Sequence, residues 1–357
     1  MTDIFYITRA KLSLRRAHVH NILRTADALS REEFRVTVLT SAPLGDEAGI
    51  RRANGVGGDF AMRQVGSLIG ALWRERSKGG VCYVRDPFLW PVALFARVCG
   101  FKVISEIHGN RESATKRFAF PMLVRTSHGV LFITERLRAW YNVSAKPHAV
   151  IPCVGVRDDE IREEKSFDYR SHFHLAQEDF LAVYIGGGAG KYYDLSLLVK
   201  SLPLCDEHIK LIFVGVKEEE LAALRILARS LGVGERVFAC DRFNPSETLF
   251  YMRGASALVS PKVWAPEGGV SAKYYGYLAS GKPIVASDTT TDREVLTDDT
   301  ALLVTPTPEA FASALGELAG SPEKQKAMGE RARVHAYEFS ETMRTERIRD
   351  VIQKVIA

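Results

Sequence analysis

Short strand-like runs alternate with helix-period stretches along nearly the whole chain, and the alternation pauses once and restarts. DIFYIT, HVHNILRTADALS and RVTVLTS open a β-α-β series. It continues through VCYVRD at 81–86, a helix over 88–99, KVISEIHG at 102–109, a helical stretch ending near Ser127, GVLFIT at 129–134 and HAVIP at 148–152. Residues 157–178 are charged and lack apolar periodicity over much of their length, so they read as a linker region. FLAVYIGGG at 180–188 restarts the rhythm, and IKLIFVG, RVFAC, ALVSP, PIVAS and ALLVTP follow with helices between them. Alternating strands and helices build mostly parallel sheets. The expected fold class is therefore α/β, with two doubly wound, Rossmann-like domains facing a central cleft. Ligands of such sheets bind beyond the carboxyl ends of the strands.

A chain of 357 residues suffices for two such domains, and 46% hydrophobic against 25% charged residues excludes disorder. The apolar stretches 88–101 and 118–124 are broken by Arg97 or are too short for a membrane span, which needs about 20 residues. The start, MTDIFYITRAKL, reads as a core strand and not a signal peptide, so a cytoplasmic protein is expected. Five widely spaced cysteines without a C-x-x-C pair predict neither a disulfide framework nor a zinc site. His18 with His20, and His172 with His174, each lack a nearby third ligand, so no metal is expected. Residues 1–160 carry 24 basic against 15 acidic residues, and the remainder 24 against 28. No base-reading motif accompanies the basic half, so nucleic acid is not the expected partner. An anionic membrane surface or acidic acceptor fits it, with Arg9, Lys11, Arg15, Arg16, Arg111, Lys116 and Arg117 as docking residues.

Two segments carry candidate chemistry. GGGAGK at 186–191 ends a strand in glycines that let backbone N–H groups approach a phosphate, with Lys191 as its cation. It fails the P-loop pattern at Ile185 and Tyr192. In APEGGVSAKYYGYLASGKPIVAS at 265–287, Gly268 and Gly269 precede a helix whose first amides, Val270 to Ala272, would face an anion, with Ser271 as cap and Lys273 adding charge. Tyr274, Tyr275 and Tyr277 read as helix packing. Arg85-Asp86 reads either as a buried ion pair or as an acceptor contact.

With Gly186 and Lys191, Pro266-Glu267-Gly268-Gly269, Ala279-Ser280-Gly281-Lys282-Pro283-Ile284-Val285-Ala286, Glu294 and the strand ending at His108, the chain resembles the retaining glycosyltransferases of the family 4 type, glycosyl transferases group 1. The resemblance implies a GT-B fold, an acceptor domain over 1–165, a nucleotide-sugar domain over 166–337, and a last helix over 338–357 crossing back to the first domain. It implies transfer of a sugar from a nucleotide diphosphate sugar to a glycan or lipid-linked acceptor with retention, in cell-envelope polysaccharide synthesis, by a cytoplasmic or peripheral membrane protein. His108, Lys191 and Glu267 would be catalytic. Gly186, Gly187, Gly268, Gly269, Val270, Ser271, Lys273 and Gly276 would hold the donor, and Arg85, Asp86 and Glu106 the acceptor side. No cofactor and no metal are implied. Gly187 stands where relatives carry an arginine, and Gly276 where they carry the ribose-binding glutamate. A nucleotide-sugar epimerase and a non-catalytic nucleotide-sugar-binding relative are the alternative readings.

Overall fold

The computed structural model describes residues 1–14, 17–109, 113–187, 192–240, 244–264 and 269–357. The chain forms two compact units, one built mainly from Met1–Gly155 and Phe339–Ala357, the other from Val156–Ala265 and Ser271–Glu338.

The first unit runs β1 (Thr2–Thr8), α1 (Ala17–Ser30), β2 (Phe34–Thr40), α2 (Glu47–Asn54), β3 (Ala61–Gln64), α3 (Leu68–Glu75), β4 (Val81–Val84), α4 (Trp90–Val98), β5 (Lys102–Ile107), α5 (Ala114–Thr126), β6 (Gly129–Phe132), α6 (Glu135–Ala139) and β7 (His148–Val150). Its seven strands are all parallel in the order β3-β2-β1-β4-β5-β6-β7. Every residue of β4 and β6 is buried, as expected of parallel strands covered on both faces. The helices start where side chains can take up their first amides: Asp46 caps α2, Ser67 caps α3, and Ser113 caps α5.

The second unit runs α7 (Asp158–Arg162), α8 (Tyr169–Phe173), β8 (Phe180–Ile185), α9 (Ser196–Ser201), β9 (Ile209–Val214), α10 (Glu218–Ser230), β10 (Val237–Cys240), α11 (Thr248–Arg253), β11 (Ala257–Ser260), α12 (Lys273–Ser280), β12 (Ile284–Ser287), β13 (Ala301–Val304), α13 (Pro308–Ala319) and α14 (Pro322–Ala336). Its six parallel strands are ordered β10-β9-β8-β11-β12-β13. The stretch read as a linker is structured. Tyr169 is buried, the Phe167 ring stacks on Tyr251 at 4.8 Å, and the Phe167 N–H donates to the Phe250 carbonyl at 2.9 Å. Phe173 meets Phe238 at 5.1 Å, so three aromatics among many charges attach this segment without creating a periodic apolar face.

The final helix, α15 (Glu341–Ile356), belongs to the first unit, where Ile348, Val351, Ile352 and Val355 enter the core. A Cβ at Gly129 would lie 2.8 Å from Val351 Cγ1 and from Val355 Cγ2, so glycine lets this helix lie directly on β6. Among the described residues, no helix is long and apolar enough to cross a membrane. No group of His, Cys, Asp or Glu side chains among them could hold a metal.

Candidate functional site

In the second sheet, β9 and β10 lie on one side of β8, and β11 to β13 on the other. The gap beyond β8 and β11 is thus the topological switch point, where open α/β sheets bind ligands. The segments leaving the two strands are tied together there. Tyr193 bridges to Lys262, the Val263 N–H donates to the Tyr192 carbonyl at 2.9 Å, and the Tyr192 ring stacks on Trp264.

Lys273, the first residue of α12, supplies the central group. Its ammonium lies 4.0 Å from the ring centroids of both Tyr184 and Tyr193. Nζ is buried and has no hydrogen-bond partner among the described residues. A Cβ built on Gly186 would stand 3.2 Å from it, so a side chain at 186 would crowd the amine. Burial, with the nearby Lys262 cation, pushes the Lys273 amine down to about 7, and Asp292 opposes them. Asp292 is already committed. It pairs with buried Lys262 at 2.7 Å and accepts from the Tyr274 hydroxyl at 3.2 Å. An anion entering beyond Gly186 would therefore meet an ammonium that has no counter-ion of its own among the described residues, flanked by two electron-rich ring faces.

The neighbouring positions differ in part from expectation. Ser271 does not cap α12. The cap position falls on Ala272, without a side-chain bond, and the Ser271 hydroxyl accepts from Tyr193 Oη at 2.8 Å. Tyr274, Tyr275 and Tyr277 are buried packing residues. Gly276 answers to packing as well. A Cβ there would lie 2.9 Å from Met252 Sδ on α11, so glycine permits the close approach of the two helices. Nothing lies within 4 Å of a Cβ at Gly187, and Gly269 and Val270 are half-buried. Lys191, Glu267 and Gly268 lie outside the described residues.

In the first sheet the switch point falls between β1 and β4. Arg85 and Asp86, which leave β4 there, do not pair with each other. Asp86 takes Arg9 at 2.6 Å and caps the following turn at the Phe88 N–H. Arg85 donates to the His18 carbonyl at 3.2 Å and reaches His108 Nδ1 at 3.0 Å. A guanidinium has only donors, so His108 Nδ1 is an acceptor and the ring proton sits on Nε2, where it meets Glu106 Oε1. The imidazole is therefore neutral with both nitrogens engaged. Burial and the Arg85 charge push it down to about 4, against the opposing pull of Glu106.

Glu106 is fully buried at the end of β5. It accepts from Tyr83 Oη, from His108, and from Arg344 Nη2 at 2.8 Å. Burial alone would raise its pKa, but the Arg344 charge and the hydrogen bond from His108 outweigh that and hold the carboxyl well below the usual carboxylate range. The sequence reading singled out Glu106 and His108 but missed Tyr83 and Arg344, and in the other unit Tyr184, Tyr193 and the Lys262–Asp292 pair. Each of these looks like core or surface residue in isolation.

Residues 168–335 match the family model for Glycosyl transferases group 1. That span takes in β8 to β13, and with them Gly186, the tyrosine pair and Lys273. Solved structures similar to the whole chain share its fold. The glycosyltransferase from Rickettsia africae aligns with a TM-score of 0.80 at 12% identity, over 99% of this chain and 98% of that one. HepE from Anabaena, crystallised with UDP, aligns with a TM-score of 0.79 at 14% identity, over 99% and 100%. Sucrose-phosphate synthase from Thermosynechococcus elongatus aligns with a TM-score of 0.73 at 16% identity, over 100% and 99%. The chain thus has the GT-B fold. No curated protein matches it in sequence.

Proposed function

We propose that the protein is a retaining glycosyltransferase, taking a sugar from a nucleotide diphosphate sugar and passing it to a glycan or lipid-linked acceptor. The observation that carries this reading is the buried, uncompensated Lys273 ammonium beside Gly186, at the switch point of the unit that matches the glycosyl transferases. When the bond from the anomeric carbon to the diphosphate breaks, negative charge grows on the departing phosphate oxygens. A preorganised cation in a low-dielectric site stabilises that charge more than it stabilises the bound donor. Lys273, Lys191 and the amides after Gly269 would serve this need, and Glu267 would orient sugar hydroxyls. On the acceptor side, the network of Glu106, His108 and Arg85 would hold the imidazole in one tautomer as the acceptor hydroxyl loses its proton to the departing phosphate. The reaction calls for no cofactor.

Uridine donors are the first to test, because HepE was crystallised with UDP-glucose. Incubation with UDP-sugars, followed by product analysis, should show donor breakdown that Lys191→Ala lowers on the order of 100-fold or more, at about 2.7–4 kcal/mol per charge-stabilising group. A variant with more than half the wild-type rate overturns the role of Lys191. Epimerised donor without release of UDP overturns transfer itself.

We also propose peripheral attachment to an anionic membrane, consistent with work on a cell-envelope polysaccharide. Helices α3, α4 and α5 expose Trp73 (51%), Val98 (79%) and Phe118 (60%), with Arg74, Arg76, Lys116 and Arg117 beside them. Trp73 meets Phe95 at 6.3 Å and Trp90 meets Phe118 at 6.0 Å, so each exposed ring rests on an aromatic of α4. Of the expected docking residues, Arg9 is paired with Asp86, and Arg15, Arg16 and Arg111 lie outside the described residues. Each basic residue at an anionic surface contributes about 1 kcal/mol, and salt screens it. The protein should sediment with anionic vesicles at low salt, less so at high salt, and less still as Trp73→Ser/Phe118→Ser. Failure to bind at low salt contradicts this attachment.

A further inference from the structure

A cavity of about 630 Å³ opens in the second unit at the amino ends of β11 and β12, the end of the sheet opposite Lys273. Four-residue strands put it roughly 13 Å along the sheet from the switch point. The size is that of small-molecule sites, about 300–1,000 Å³. Its lining carries four cations, Arg170, Arg253, Lys282 and Lys326, against one carboxylate, Asp168. That carboxylate is occupied by the Ser171 backbone N–H and hydroxyl.

Two of these cations keep a buried donor without an acceptor among the described residues. Arg253 is only 4% exposed, and its Nη atoms donate to the carbonyls of Lys165 and Glu160, yet its Nε is buried without an acceptor among the described residues. Arg170 donates from Nη2 to the Asp179 carbonyl at 2.8 Å, and its Nε is likewise buried and unpartnered. Glu163 stands 3.8 Å from Arg253. Arg333 crowds the same wall, where a Cβ at Gly281 would meet its Nε at 2.6 Å. Burial, then Arg333 and Arg170, push the Lys282 amine down, so the cluster repels itself. A buried donor without an acceptor is unfavourable, and like charges in proximity add to that. A dianion would relieve both. The first turn of α14, which also lines the cavity, adds its dipole in the same sense.

We propose that this cavity binds a phosphate monoester, the phosphoryl group lying among Arg170, Arg253, Lys282 and Lys326, with Phe167 beside its organic part. A phosphate monoester carries about −1.5 to −2 charge near pH 7 and has three acceptor oxygens, matching the unpartnered donors. The cavity is a second ligand site, remote from the donor position and independent of the transfer reaction.

Calorimetry on the full chain with inorganic phosphate and with ribose 5-phosphate tests it. Both should bind Lys273→Met, which lacks the anion-binding cation of the donor position, and there binding should weaken tenfold or more when Lys282→Gln/Lys326→Gln is added. Tighter binding of ribose 5-phosphate than of phosphate identifies a phosphorylated metabolite as the ligand, whereas equal binding identifies free phosphate. Lys326 is exposed, so Lys326→Glu provides a variant that keeps the fold and reverses one charge; it should weaken binding as well. Binding that these variants leave intact, binding abolished by Lys273→Met, or no binding of either probe at millimolar concentration overturns the proposal.

Discussion

Lys273→Met should raise the melting temperature at pH 7 while lowering donor turnover on the order of 100-fold. The two effects share one origin. A lysine ordinarily titrates at 10.5, and this one is pushed down to about 7 by burial and by Lys262. Between those values the unfolded chain holds a proton that the folded chain releases, so stability rises with pH from about 7 to 10.5. The cost of keeping this amine inside is fully present below that window. Methionine fills the space between Tyr184 and Tyr193 without any charge. The gain should be on the order of 2–4 kcal/mol at pH 7, after the lost cation–π attraction of about 2 kcal/mol is deducted, and it should fade towards pH 10.5. Thermal denaturation at pH 7 and pH 10, paired with kcat and KM, checks both halves. A variant less stable than wild type at pH 7, or one that keeps its turnover, refutes the assignment of Lys273 as a cation retained for its ligand at the expense of stability.

Arg344→Ala should cost about 3–5 kcal/mol, because it leaves the buried Glu106 carboxylate without its full countercharge. Glu106→Gln should cost less, since its amide still accepts from Tyr83. The same network makes the first unit acid-labile. His108 ordinarily titrates at 6.5 and is pushed down to about 4, so on falling pH the unfolded chain gains a proton that the folded chain refuses. Stability is therefore lost across pH 6.5 to 4. Glu106, held below its ordinary 4.5, adds a further loss under that value. Urea unfolding at pH 7, 5.5 and 4.5 should follow this slope, and His108→Gln should flatten the part above pH 4.5. A flat wild-type profile would mean that the imidazole is not held neutral.

The strands were legible because fully buried parallel strands leave unbroken apolar runs such as VCYV and FLAVYI. Helix starts were legible only where a side chain makes the cap. At α12 none does, and the serine that looked like a cap serves Tyr193 instead. Gly276 read as a missing carboxylate, although the thioether of Met252, 24 positions away, accounts for its small size. The ammonium of Lys273 was visible as a charge near glycines, but the two rings that enclose it come from a strand and a loop some 80 residues earlier. Spacing rules connect neighbours along one element. They do not connect Lys282 to Arg170, or Glu106 to an arginine on the final helix, because only the crossovers of the sheets bring those together.

The bond from Arg344 to Glu106 spans 238 residues of chain. At about 5–20 residues per second, a ribosome spends roughly 10–50 s between the two codons. Throughout that interval β5 carries a carboxylate with no guanidinium to meet it, and before the interval ends every strand of the second sheet has been synthesised. The segment translated first is thus completed last, and a nascent chain that terminates before α15 would carry every strand of the second sheet and an N-terminal half still waiting for its closing helix.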